Sequence, residues 1–408
     1  MPFSDEWDWV RLSYLMRSGH LQWMDVWQAH NEHRLLISNL VFLAIDRSIG
    51  WNTLAEELVG FVALVGAQVV AWGLIRKNIG SPTKQALAFA GTSGLLFSPA
   101  QYETFSMGFN LQFALCSLAT LTLIAALTSR RSWPSSLVAW AAALFASFST
   151  GQGLVLWAVG LTALVWQRRS VLEKSAWGAS AILVGVLYFH GNSVAQSDVA
   201  GQLSNFHPGT IVRYALVFLG APIAALGIYS EIPATIASVL AIATTVLVLT
   251  FASNRPTAPS KLPWLLCMEY AILTSVLVGL ARAGEYVIIE ASAPRYMTIA
   301  VFLYIGLLGL ALSSEMRISS RLATVAATGI VAFFLVGGLL SAALGDIVWG
   351  KHIAEYRRIT AKLAEGRFSG SAKIYPNEAM LRFFIHEACL VHDLPIRCPP
   401  EALGARRP

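Results

Sequence analysis

Apolar residues run along this chain in blocks of about 16 to 25 positions, the length a helix needs to cross a hydrocarbon layer. Short polar breaks separate the blocks, which predict ten spans: 54–75, 83–100, 104–128, 134–149, 151–166, 174–189, 232–251, 262–281, 296–313 and 322–344. A further apolar segment, 209–229, carries a Gly220-Ala221-Pro222 break and reads equally as a span or as a re-entrant pair of half-helices. Spans 134–149 and 151–166 meet at Gly151-Gln152-Gly153, which predicts a tight helical hairpin. The alternating ten-residue strands of a transmembrane barrel do not occur. The expected fold is an all-α polytopic bundle of about ten spans, with residues 1–53 as a polar first loop, 54–344 as the bundle and 345–408 as a small polar cap.

Composition strengthens the membrane expectation. The 408 residues are 56% hydrophobic and 13% charged, against roughly 25% charged in soluble domains. A net charge of +6 does not point to nucleic acid, because Lys and Arg fall in short clusters between apolar blocks. Arg76-Lys77, Arg130-Arg131 and Arg168-Arg169 occupy every second break, the pattern of cytoplasmic ends, which places the first loop and the cap outside. Of the four cysteines, Cys116 and Cys267 lie in apolar blocks, whereas Cys389 and Cys398 are able to pair if the cap faces an oxidising compartment.

Chemistry concentrates in the first loop, in Asp5-Glu6-Trp7-Asp8-Trp9 and His30-Asn31-Glu32-His33-Arg34. Charged groups beside a bilayer are tolerated in hydrated or mutually paired sites. Leu35, Leu36, Leu40, Leu43 and Ala44 recur at helical spacing before Gly50-Trp51-Asn52, predicting an amphipathic surface helix. Trp7, Trp9, Trp23 and Trp27 suit the headgroup level, where an indole keeps one end wet. Two later groups belong to the same predicted side: Glu103, Asn110 and Gln112 near the head of one span, and Arg282, Glu285, Glu290, Arg295 and Tyr296 around another. Each group has a plainer reading. Asp5 and Glu6 suit a helix cap, Glu103 a helix N-terminus, and a lone arginine snorkels. His30, Glu32, His33 and Arg34 suit a salt-bridge network that anchors the loop. His30 and His33 with a carboxylate also suit zinc, a weak signal from two histidines.

An external loop with an acidic pair, a His-containing motif about 25 residues later, a surface helix and a many-span bundle resembles the GT-C class of membrane glycosyltransferases. The chain also resembles uncharacterised bacterial membrane proteins carrying Asn31-Glu32-His33-Arg34. In GT-C enzymes a first helix precedes this loop, so the start is expected to be internal to a longer reading frame. The resemblance implies transfer of sugar from a polyprenyl-phosphate donor to a lipid, glycan or protein hydroxyl at the outer face of a bacterial inner membrane. It makes Asp5 or Glu6 the base. It puts His30, Glu32, His33, Arg34, Glu103, Gln112, Arg282, Arg295 and Tyr296 in contact with substrate, with no committed metal and a divalent ion allowed. A multi-span transporter, a lipid-glycan ligase and a non-catalytic membrane protein remain as alternatives; Glu269 is the main mid-span charge a transporter would use.

Overall fold

The computed structural model describes residues 4–31, 33–129, 132–191, 207–224, 231–251, 259–283, 287–314, 354–363, 365, 367–375 and 377–391, with isolated positions 325, 329, 332 and 336. Glu32, Glu285, Arg130-Arg131, Cys398 and nearly all of the expected span 322–344 lie outside the described residues.

The described residues form helices and turns, with no strand among them. Three short helices come first: α1 (Asp8–Arg17), α2 (Trp23–Trp27) and α3 (Leu36–Ile49). The bundle follows as α4 (Thr53–Asn78), α5 (Pro82–Leu96), the single turn α6 (Tyr102–Ser106), α7 (Leu111–Thr128), α8 (Trp133–Ser147), α9 (Val155–Trp166) and α10 (Val171–Phe189). It continues with α11 (Pro208–Ala224), α12 (Glu231–Phe251), α13 (Leu262–Arg282) and α14 (Pro294–Ser313). Helical residues 354–363 and α15 (Glu378–Val391) make the cap.

Among the described residues, six helices are long and apolar enough to cross a membrane: α4, 108–128, α10, Glu231–Thr250, α13 and α14. The chain therefore has the character of a multi-pass membrane protein. The expected spans 83–100, 134–149 and 151–166 form helices of 15, 15 and 12 residues, lengths nearer to buried core helices than to full crossings. Local turns take up the remainder. Pro99–Gln101 and Gly151–Leu154 close into 3-10 turns, and Gly108–Asn110 adds another within the block 104–128. Gly220-Ala221-Pro222 does not break α11, which runs through it to Ala224.

The centre of the bundle is α14. Nearly all of its apolar side chains are enclosed, and it packs on α13, α11 and α5. The two ends of the bundle differ in chemistry. At one, Lys77 Nζ donates to the Thr128 carbonyl at 2.6 Å, so α4 and α7 finish together among basic residues. At the other lie residues 4–31 and 33–53, the turns before α7 and α9, and the heads of α4 and α14.

Residues 4–17 are buried on two sides because their apolar positions alternate faces at helical spacing. Trp9 and Leu12 join Phe42, Leu64, Phe109 and Leu111 against the bundle. Trp7 and Val10 join Leu381, Phe384 and Ile385 against the cap. This corrects the headgroup expectation for two indoles. Trp7 is 0% and Trp9 2% exposed; Trp9 stacks on Phe42 at 4.7 Å and donates to Asn39 Oδ1 at 3.0 Å. Trp23, by contrast, is 59% exposed. The cap is held on α1 by Arg11 and Glu387 at 3.1 Å. Cys389, in the same apolar cluster, is disulfide-bonded, while Cys116 and Cys267 are free thiols.

Candidate functional site

A 3-10 turn, Ser4–Trp7, runs directly into α1, so Asp5 and Asp8, three positions apart, fall on one face. A second segment completes that face. His30 and His33 exchange backbone hydrogen bonds (2.8 and 2.9 Å) across a tight turn, with Asn31 in the left-handed region at φ 49°, a conformation asparagine tolerates better than most residues. The turn brings His30 Nδ1 to 3.3 Å from Asp8 Oδ2, over the edge of Phe109 at 5.1 Å between centroids. From the cap, the Tyr375 hydroxyl donates to Asp8 Oδ1 at 3.0 Å. Burial, helped by the Asp5 carboxylate, raises the Asp8 pKa, and His30 and Tyr375 oppose that rise.

Asp5, Asp8 and His30 are half-buried, and one ligand atom from each lies within 4.8 Å of the others. An ion about 2.1 Å from each of three ligands spaces neighbouring ligand atoms by roughly 3.0–3.4 Å, a spacing that the 3.3 Å between His30 Nδ1 and Asp8 Oδ2 already meets. Two carboxylates and an imidazole, with room for water, suit Mg²⁺, Mn²⁺ or Zn²⁺. His33 is not part of this set, contrary to the zinc grouping considered from the sequence.

Glu6 turns the other way. It is 4% exposed and accepts the Gly108 N–H at 2.6 Å. Glu56, fully buried in the first turn of α4, packs on the same glycine, where a Cβ would stand 2.1 Å from Glu56 Oε2. Glycine is required at 108 so that both acids can approach the backbone. Asp5 and Glu6 are thus separated, one toward the half-open face and one into the protein.

The segment 107–112 connects this cluster with a second one. Gly108 holds Glu6, Phe109 underlies His30, and Asn110 Nδ2 donates to the Glu103 carbonyl at 2.9 Å. The Glu103 carboxylate pairs with Arg295 at 3.0 Å, and Arg295 lies over the Tyr296 ring at 5.1 Å. Arg282 closes α13. Gln112 is buried and donates to the Phe109 carbonyl at 3.3 Å. Of the residues expected to act together, Asp5, His30, Glu103, Gln112, Arg295 and Tyr296 gather at one end of the bundle.

His33 and Arg34 face elsewhere. His33 packs on Gly151, where a Cβ would stand 2.6 Å from Nδ1. The Arg34 guanidinium, 2% exposed, donates to the carbonyls of Tyr188 (2.5 Å), Trp27 (2.8 Å) and His190, and stacks over Trp27 at 4.8 Å. Tyr188 and His190 belong to the last turn and cap of α10, whose carbonyls have no helical partner and whose dipole favours a cation. Arg34 is committed to anchoring the first loop, through carbonyls rather than the salt bridges considered from the sequence.

No family model matches the chain, and neither a curated protein nor a solved structure is similar to it at a significant level.

The site's chemistry therefore stands on its geometry alone. Asp8 and Tyr375 are the members that sequence reasoning did not assign. The spacing of Asp8 from Asp5 carries a readable signal; Tyr375 lies 367 positions from Asp8 and carries none.

Proposed function

We propose that this protein is a membrane-embedded glycosyltransferase that moves sugar from a polyprenyl-phosphate donor to a lipid, glycan or protein hydroxyl at the outer face of a bacterial inner membrane. The observation that carries this reading is the junction at 107–112, with a carboxylate–imidazole cluster on one side and an arginine–carboxylate pair on the other. Group transfer from a phosphate ester needs both kinds of group, a base at the acceptor and cations at the departing phosphate.

In the proposed reaction the acceptor oxygen attacks the anomeric carbon, and the bond from that carbon to the phosphate oxygen breaks. The acceptor proton passes to Asp5. The electron pair leaves with the polyprenyl phosphate, which Arg295 and Arg282 neutralise, and Glu103 holds Arg295 in place until then. A divalent ion held by Asp5, Asp8 and His30 would supply electrostatic stabilisation of developing negative charge. The transporter alternative gains no support from Glu269, which accepts a 2.6 Å hydrogen bond from Thr162.

The purified protein is expected to release polyprenyl phosphate from a matching polyprenyl-phosphate sugar, and Arg295→Ala to raise the donor KM about tenfold with the acceptor KM little changed. Failure of the wild-type protein to act on hexose, pentose and deoxyhexose donors alike would sink the reading. Tyr375→Phe removes the hydrogen bond to Asp8 while keeping the ring in the cap. It should weaken Mn²⁺ binding by about tenfold, the usual size of an outer-shell effect, measured by titration calorimetry; unchanged affinity would assign Tyr375 to packing.

A further inference from the structure

Helix α11 turns one stripe of its surface inward. Tyr214, Val217, Phe218 and Ala221, at helical spacing, are all 0% exposed, whereas the neighbouring Val212 and Arg213 face outward. A tyrosine in such a stripe takes its hydroxyl out of water, which is costly unless a hydrogen bond replaces the lost one. The Tyr214 hydroxyl is buried and has no hydrogen-bond partner among the described residues.

Two contacts of α11 locate that hydroxyl. Ile211 abuts α13, where a Cβ on Gly279 would stand 3.1 Å from the Ile211 carbonyl oxygen, one turn before Arg282. Phe218 packs on Tyr296 at 5.3 Å between ring centroids, next to Arg295. Tyr214 lies one turn from each of these residues along α11, between the end of α13 and the head of α14. Tyr296, Arg282, Arg295 and Glu290 are the groups within electrostatic reach of its hydroxyl, and Glu290, the acid among them, is exposed. The open side of this region is the Glu103–Arg295 pair, whose side chains are 19% and 33% exposed.

A phenol keeps its proton at neutral pH and donates one hydrogen bond. Guanidinium groups are donors only. The partner that both kinds of donor share is an oxyanion.

We propose that Tyr214 donates its hydroxyl to the departing polyprenyl phosphate, and that with Arg295 and Arg282 it selects the dianionic phosphate monoester over the monoanionic diester of the donor. The proposal rests on the transferase reading. In the donor the phosphate is a diester with two terminal oxygens and one negative charge. When the bond from the anomeric carbon breaks, the bridging oxygen keeps the electron pair and becomes a third terminal oxygen with a second negative charge. The arginines serve the charge already present. The phenol meets the oxygen that cleavage frees, as a donor that keeps its own proton. An interaction that strengthens only as the bond breaks raises turnover rather than donor affinity.

The probes are farnesyl phosphate and farnesyl methyl phosphate, titrated calorimetrically into the full-length protein in mild detergent at pH 8, above the second phosphate pKa of about 6. Wild type should bind the monoester about tenfold more tightly than the methyl ester. Tyr214→Phe should lose most of that preference, with its affinity for the methyl ester little changed. Because the hydroxyl it removes is buried without a partner, it should unfold no earlier than wild type on heating. In turnover, Tyr214→Phe should lower kcat about tenfold with the donor KM little changed, the reverse of the split expected for Arg295→Ala. Equal affinity of wild type for the two probes, or an undiminished preference or kcat in Tyr214→Phe, overturns the proposal. Earlier unfolding of Tyr214→Phe would also overturn it, by giving the hydroxyl a structural partner. A wild-type protein that prefers the monoester, through Tyr214, yet acts on no polyprenyl-phosphate sugar would instead remove the transferase reading and leave the phosphate site.

Discussion

Asp5→Asn and Asp8→Asn should each reduce transfer roughly a thousandfold, within the range lost when a positioned acid–base group is removed, and weaken Mn²⁺ binding about a hundredfold. Both side chains are half-buried at the edge of the fold, and Asn can still accept the Tyr375 hydroxyl, so thermal unfolding should shift little. Glu6→Gln is the decisive companion. Glu6 accepts one backbone N–H inside the protein, a bond the Gln carbonyl also makes, so this variant should keep most of its activity. Loss of transfer in Glu6→Gln with an intact fold, together with an active Asp5→Asn, would exchange the two roles.

Acidity should act through the same cluster. Because burial raises the Asp8 pKa, the carboxylate takes up its proton at a higher pH than a solvated aspartate does. Cation binding therefore weakens earlier on acidification than it would at a solvated aspartate pair, and Asp8→Asn should flatten that limb of the profile. Stability without the cation has the opposite sign. A carboxyl whose folded pKa is raised binds its proton more tightly in the folded state, so its stabilising contribution is present at low pH and is lost as pH rises through the folded value. A bound cation offsets this by favouring the ionised form. Mn²⁺ should therefore raise the midpoint of thermal unfolding more at pH 8 than at pH 5.

How much of this was legible follows from which interactions are local. The i, i+3 relation of Asp5 and Asp8 is written in neighbouring residues, and so is the helical run of α3. Glu103 and Arg295, 192 positions apart, were each conspicuous as a charge at a span end, although their contact was not. The indoles show the limit of pattern reading. Trp7 and Trp9 alternate with acids as interfacial tryptophans do, and the same alternation also serves a segment buried between two apolar layers, once the cap supplies Leu381, Phe384 and Ile385. That six helices of crossing length stand among the described residues, where ten spans were expected, has a related reason. Apolar composition does not record where Ser98, Pro99 and Gly151 fold a block into turns, leaving α5, α8 and α9 short. Tyr375 acts in the first-loop cluster only because the distant C-terminal cap packs on α1.

Arg34 separates the two ways of reading the first loop most sharply. The family resemblance put it in contact with substrate, whereas its guanidinium is occupied by three carbonyls and the face of Trp27. Arg34→Ala would leave those carbonyls without their donor and release the loop from α10, at a cost on the order of 3–5 kcal/mol. Arg34→Lys should recover little of this, because one ammonium on a flexible stem cannot reproduce a planar fork that reaches three acceptors and stacks on an indole. Thermal unfolding and protease sensitivity of residues 20–50 should report the loss. If Arg34 is an anchor, both variants are less stable, and the fraction that remains folded has a donor KM close to wild type. If it holds the donor phosphate, stability stays near wild type and the donor KM rises instead. His33→Ala provides the control from the same turn: it removes a ring packed on Gly151 while leaving the α10 carbonyls covered, so its effect on stability should be smaller than that of either Arg34 variant.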